Sequence, residues 1–73
     1  MDTDEKLIYM ANQIASAFAA QGEAKAVPAI ADHIKRFWDP EMRRKFLALA
    51  EKPGTELNPL TRKALELLKV KVD

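Results

Sequence analysis

The sequence contains no cysteine, only two glycines and a single histidine, and each shortage excludes a class of protein. Without cysteine the chain can form neither a disulfide framework nor a thiolate metal site, so nothing indicates an oxidising compartment. No apolar run approaches the roughly 20 residues that a membrane-spanning helix requires. The N-terminus, Met1 to Glu5, is acidic where a secretory signal would be basic, so the cytoplasm is the expected location.

The remaining composition is typical of one small helical domain covering residues 1–73. A chain of 73 residues buries only about 60% of its unfolded surface, so its core is thin. Hydrophobic residues make up 48% of the chain and charged residues 32%, a balance that favours a globular protein over a disordered one. The β-branched and aromatic residues are too sparse for a β fold. The sequence therefore predicts an all-α fold, a compact array of four short helices.

The first two helices are predicted from apolar residues that recur at intervals of three and four. The first begins from Thr3 or Asp4 as N-cap and ends near Ala20. The second is expected to begin close to Pro28, with residues 23–27 as an irregular lead-in or kinked first turn, because proline breaks a helix interior. The predicted inward-facing residues are Leu7, Met10, Ala11, Ile14, Ala17 and Phe18, and then Val27, Ile30, Ile34 and Phe37.

Asp39-Pro40 and Asn58-Pro59 each have the chemistry of a helix start. The side-chain oxygen accepts a hydrogen bond from a free amide of the first turn, and proline at the first helical position gives up an amide that has no partner. The third helix then runs to about Lys52 and the fourth to about Lys69, with residues 70–73 frayed. Their predicted inward-facing residues are Met42, Phe46, Leu49 and Ala50, and then Leu60, Ala64, Leu67 and Leu68.

Trp38 is predicted to lie at the corner between the second and third helices, because the chain must leave the helical conformation just before the Asp39-Pro40 start. Its ring either closes the core or anchors a partner, since Trp and Arg are enriched among interface hot spots. The sequence favours the core. Residues 23–52 carry seven basic and five acidic side chains, so the corner is weakly positive. These cationic side chains either form a solvated face or bind carboxylates of a partner. They are Lys35, Arg36, Arg43, Arg44 and Lys45.

Three polar residues near the apolar stripes are candidate functional groups. His33 has no second histidine, no cysteine and no glutamate four residues further on, so a half-buried imidazole is expected rather than a metal ligand. Asn12 and Gln13 are either exposed or hydrogen-bonded to a neighbouring loop or subunit, because a buried amide without a partner costs about 1–3 kcal/mol. No nucleophile–base motif or glycine-rich phosphate loop occurs, so the isolated chain is not expected to be an enzyme.

Three stretches of the sequence carry a family resemblance. They are MANQI at residues 10–14, HIKRFWDPEMR at residues 33–43 and LNP at residues 57–59. Together, in a chain this short, they resemble the delta subunit of NAD-dependent, molybdenum-containing formate dehydrogenases. The similarity extends over nearly the whole length.

The resemblance implies a cytoplasmic accessory subunit that holds no cofactor itself. In that family the alpha subunit carries a molybdenum cofactor and iron-sulfur clusters, and the beta and gamma subunits pass electrons through further clusters and flavin to NAD. The delta chain would support assembly, stability or cofactor insertion, with the alpha subunit as its expected partner. The residues expected to contact a partner are Asn12, Gln13, Arg36, Trp38 and Arg43.

Two other classes of function remain open from the sequence. The tight connection between the second and third helices suggests a helix-turn-helix, but Pro40 and Glu41 stand where base-reading side chains are needed and the net charge is only +1. Neither nucleic acid nor a membrane is therefore an expected partner. A self-associating helical protein, such as a homodimer, is compatible with the thin core.

Overall fold

Four α-helices and one short 3₁₀ turn make up most of the computed structural model, which describes residues 3–70. The all-α prediction is confirmed. The predicted fraying of residues 70–73 is wrong for Val70, which is the last residue of α4, and lies outside the described residues for 71–73. None of the helices within 3–70 is long and apolar enough to cross a bilayer. The elements are α1 (Thr3–Phe18), the 3₁₀ turn (Ala19–Gln21), α2 (Glu23–Phe37), α3 (Pro40–Ala50) and α4 (Pro59–Val70).

The two Asx-Pro pairs start α3 and α4 as the sequence predicts. The Asp39 carboxylate accepts a hydrogen bond from the backbone N–H of Met42 at 2.8 Å. The Asn58 side-chain oxygen accepts one from the backbone N–H of Leu60 at 2.9 Å. In both helices proline occupies the first position, where its missing amide costs nothing.

The predicted start of α2 near Pro28 is wrong, because the helix begins five residues earlier at Glu23. Gly22 makes this start possible: its φ of +88° lets the chain turn out of the 3₁₀ segment, a conformation that glycine adopts without a Cβ penalty. Its carbonyl accepts the Ala26 N–H at 2.8 Å, which closes the first turn. Pro28 lies inside the helix and is exposed. Because proline has no backbone N–H, the carbonyl of Ala24, four residues earlier, loses its usual hydrogen-bond donor, and Ala24 is exposed as well.

The core is built mainly from the predicted apolar stripes, with α2 packed most extensively against α4 and α1. Thr61 is also fully buried, and its hydroxyl donates a hydrogen bond to the Ala11 carbonyl at 3.4 Å. Three predicted inward-facing residues are exposed instead: Ala17, Phe37 and Leu67. Besides Thr61 and the corner residue Trp38, four buried residues do not belong to the predicted stripes: Ala15, Ala26, Ala31 and Leu65.

The connection between α3 and α4 is fixed by polar side chains. The Thr55 hydroxyl donates to the Leu49 carbonyl at 2.9 Å, which covers the carboxyl end of α3. The Arg62 guanidinium donates to the carbonyls of Thr55 at 2.9 Å and Ala50 at 3.4 Å. The Leu49 and Ala50 carbonyls lie at the end of α3 and have no intrahelical donor, so the Thr55 and Arg62 side chains satisfy them, and Arg62 holds α4 against α3.

Candidate interaction surface

The sequence left open whether the Trp38 ring closes the core or anchors a partner, and in the structure Trp38 lies in the core. Its backbone is extended (φ −97°, ψ 135°), and its N–H still donates to the Ile34 carbonyl at 2.9 Å, so the chain turns sharply after the last turn of α2. The indole packs edge-on against the Phe46 ring with centroids 5.3 Å apart, and only 5% of the residue is exposed. Trp38 therefore ties α3 to α2.

The two predicted contact arginines flank the buried tryptophan on the outside of the corner. Arg36 is exposed, and its Nε lies 3.0 Å from Oδ2 of the exposed Asp32. Arg43 is half-buried and donates from Nη1 to the Lys35 carbonyl at 3.4 Å, next to the carboxyl end of α2. That end of a helix carries partial negative charge, so Arg43 stabilises the corner as well as contributing to its positive potential.

Two further cations of the corner, Arg44 and Lys45, lie on α3. Arg44 is exposed, and the exposed Lys45 reaches the first turn of α1, where its Nζ lies 3.4 Å from Asp4 Oδ1. Exposed ion pairs of this kind contribute about 0–1 kcal/mol and exchange readily with other partners. The corner is therefore a positively charged surface whose side chains are accessible.

Asn12 does not lie at this corner but holds the α3–α4 connection. Its Nδ2 donates to the Glu56 carbonyl at 3.1 Å, and its Oδ1 accepts the backbone N–H of Asn58 at 2.8 Å. The side chain thus binds a neighbouring loop, one of the two possibilities that the sequence left open. Gln13, one residue further on, is exposed. A partner contact by either residue stays a prediction.

An unpredicted row of rings runs along one side of the molecule, made of Phe18, His33 and Phe37. The His33 ring lies 4.7 Å from that of Phe37 and 6.2 Å from that of Phe18. The half-buried state predicted for His33 is confirmed. The core position predicted for Phe37 is wrong, since 71% of the residue is exposed. Trp38 fills the core at the end of α2, and Phe37 is left outside over His33.

The described part of the chain contains an open cleft but no cluster of metal ligands. Among residues 3–70, no three histidine or carboxylate side chains come close enough to hold a metal ion. An open cleft of about 600 Å³ lies between α1 and the α3–α4 connection, with Tyr9 and Asn12 on its wall. Its titratable groups are Asp4, Glu5, Tyr9 and Glu56.

A family model described as the NADH-dependent formate dehydrogenase delta subunit FdsD matches residues 6–65. The chain belongs to this FdsD family. No match reached significance among curated proteins or among solved structures. The family resemblance inferred from the three sequence stretches is therefore confirmed.

In this FdsD-family chain the matched range contains all five predicted contact residues and the whole ring row. The contacts divide the five into two groups. Trp38 and Asn12 hold elements of the fold together, whereas Gln13, Arg36 and Arg43 present polar groups at or near the surface. Sequence reasoning missed Phe37 as a surface residue because its helical spacing is that of a core position. Its place directly before a helix-ending tryptophan is the one local signal that could have indicated otherwise.

Proposed function

We propose that this chain is a non-catalytic accessory subunit of a cytoplasmic NAD-dependent formate dehydrogenase. The match of the FdsD family model across residues 6–65 carries this proposal. The chain supports assembly, stability or cofactor insertion of the complex through contacts of its helix surfaces. The chemistry of formate oxidation belongs to its partners.

The donor groups of the chain agree with a role that uses no redox centre. The sequence contains no cysteine, so it cannot provide the thiolates that hold iron-sulfur clusters in proteins. We therefore assign the molybdenum cofactor, the clusters and the flavin of the complex to the other subunits. The alpha subunit, which carries the molybdenum cofactor in this family, is the proposed partner.

The accessible residues of the corner are the proposed points of contact. Arg36 and Arg43 present guanidinium groups that can form paired hydrogen bonds with a carboxylate, and Gln13 adds an exposed amide on α1. Trp38 and Asn12 act indirectly, because they fix the shape of the surface that carries these groups. Docking also suits a thin core, since binding a partner stabilises the folded state by mass action.

Affinity purification of the full chain tests the proposal. The tagged chain is expressed in a host that produces the other formate dehydrogenase subunits, and the recovered proteins are identified by mass spectrometry. The expected result is recovery of the alpha subunit together with formate-dependent NAD reduction in the eluate. Deleting the gene should lower the amount of intact complex or its molybdenum content.

Three outcomes would contradict the proposal. If no formate dehydrogenase subunit is recovered with the chain at low salt, the chain is not an accessory subunit of that enzyme. A stable dimer of the chain alone that excludes the other subunits would support the self-associating alternative. Formate oxidation by the purified solitary chain would show that the chain is itself catalytic.

A further inference from the structure

We propose that the ring row, Phe18, His33 and Phe37, is the apolar centre of the docking surface, and that Phe37 inserts into an apolar pocket with an acidic rim on another formate dehydrogenase subunit. This inference rests on the proposed function and specifies the partner chemistry of that contact. It assigns the central role to Phe37, whose sequence position alone indicated a core residue.

The exposure of Phe37 is the first observation. Among the described residues the exposed large apolar side chains are Phe37 at 71%, Tyr9 at 52% and Leu67 at 41%. Single exposed apolar residues are common on protein surfaces and need no explanation. Phe37 differs because it continues into a second and a third ring through His33 and the half-buried Phe18.

The ring row is also a continuation of the core stripe of α2. Ile30, Ile34 and Phe37 follow the three-and-four spacing of one helix face, and the first two are fully buried. The neighbouring helices cover this face as far as Ile34, and Trp38 closes the core beyond it. Phe37 therefore extends an apolar face past the point where the chain itself can cover it, which is how helix faces that bind partner pockets are arranged.

The charges around Phe37 define the chemistry of the partner. Residues 32–45 carry five basic and three acidic side chains, a net charge of +2. One acid, Asp39, is engaged as the N-cap of α3, and one cation, Lys45, is paired with Asp4 of α1. Within residues 3–70, the ion pair that Arg36, directly before Phe37, makes is with the exposed Asp32, so a partner carboxylate can replace that weak contact. An aromatic anchor with an arginine at its edge is a common composition of interface hot spots. The complementary surface is an apolar pocket bordered by Asp or Glu.

Replacing Phe37 by alanine tests the inference in the full chain co-produced with the other formate dehydrogenase subunits. Phe37→Ala should lower recovery of those subunits about tenfold or more, the effect expected for a hot-spot aromatic residue. The matched control is Tyr9→Ala, which removes the other exposed aromatic side chain, on the α1 cleft, and should leave recovery unchanged. Thermal unfolding of both purified variants should stay close to that of the wild-type chain, because neither Phe37 nor Tyr9 is buried in the core.

The charge component has its own variant and readout. Arg36→Glu should weaken recovery several-fold, and Arg36→Lys should retain more of it, because lysine keeps the charge but not the bidentate geometry. Binding of the wild-type chain should weaken with added salt, and that dependence should be smaller for Arg36→Glu. An equal salt dependence in both would contradict the acidic rim.

The outcomes separate the inference from the proposed function. If the wild-type chain recovers the formate dehydrogenase subunits and Phe37→Ala recovers them equally well, the docking surface lies elsewhere while the accessory role stands. If wild-type recovery itself fails, both proposals fall. If Phe37→Ala changes only the mass of the isolated chain from dimer to monomer, the ring row binds a second copy and the inference is overturned.

Discussion

The Asn12 side chain provides the sharpest test of how the fold is held together. It is the link between α1 and the connection that leads into α4, with one hydrogen bond donated to Glu56 and one accepted from Asn58. Asn12→Ala removes both and leaves the half-buried Asn58 N–H without its partner. Each hydrogen bond contributes about 0.5–1.5 kcal/mol, so the two together are worth about 2 kcal/mol.

Part of that loss is offset by the helix itself, because alanine is a better helix former than asparagine by about 0.5 kcal/mol. The expected net loss of unfolding free energy is about 1.5 kcal/mol, which lowers the Tm of a domain of this size by about 10 °C. Urea and thermal unfolding of the purified chain, followed by circular dichroism, measure both quantities.

Gln13→Ala is the matched control for this measurement. It changes an exposed amide on the same turn of α1 to the same residue, and its unfolding free energy should stay within about 0.5 kcal/mol of wild type. Asn12→Asp retains the acceptor for the Asn58 N–H but loses the donor to Glu56, so an intermediate loss is expected. If Asn12→Ala and Gln13→Ala unfold alike, the amide does not hold the loop in solution, and Asn12 becomes available as a partner contact.

Two further predictions concern the corner between α2 and α3. Trp38→Ala should lower the unfolding free energy by about 3–5 kcal/mol because it empties a core position. Phe37→Ala should lower it by less than about 0.5 kcal/mol. Equal losses in a denaturant titration would contradict the assignment of Trp38 to the core and Phe37 to the surface. Asp39→Ala removes the N-cap of α3 and should cost about 1 kcal/mol. Asp32→Ala, which removes only an exposed ion pair, should cost less than about 0.5 kcal/mol in the same titration.

The starts of α3 and α4 could be predicted to the residue because their chemistry is local. An Asx side chain and the proline after it satisfy or remove the free amides of the first turn without help from the rest of the fold. The start of α2 could not be predicted in this way. Pro28 costs one intrahelical hydrogen bond, and whether α2 tolerates that cost depends on tertiary packing of its first turn, where the buried Ala26 joins the core.

The buried alanines show a second limit of the sequence pattern. Ala15, Ala26 and Ala31 have little hydrophobic signal of their own, yet they are buried where helices approach each other closely. The large residues Phe37 and Leu67 have a strong signal and are nevertheless exposed. Periodicity identifies which face of a helix is apolar. How far along the helix that face is buried depends on where the neighbouring helices end.

Because the sequence does not show where neighbouring helices end, it could not separate the predicted contact residues that hold the fold together from those that face solvent. Residue type alone predicts Trp38 and Asn12 as partner contacts, whereas in the fold both side chains make internal contacts. Arg36 and Gln13 lie where α1 and α2 face solvent, which follows from their positions outside the apolar stripes. His33 and Phe37 are four residues apart on α2, but Phe18 joins them from α1, so α2 alone could not indicate the full row of three rings.

Stability and docking can be separated because different residues serve them. A partner present at 100 times its Kd stabilises the folded chain by about 2.7 kcal/mol, which exceeds the loss expected for Asn12→Ala but not that for Trp38→Ala. Asn12→Ala should therefore be rescued by the other subunits, while Trp38→Ala should not. Phe37→Ala should leave the unfolding free energy of the free chain unchanged and weaken binding to the other subunits. Only a surface that the chain leaves uncovered for a partner produces that combination.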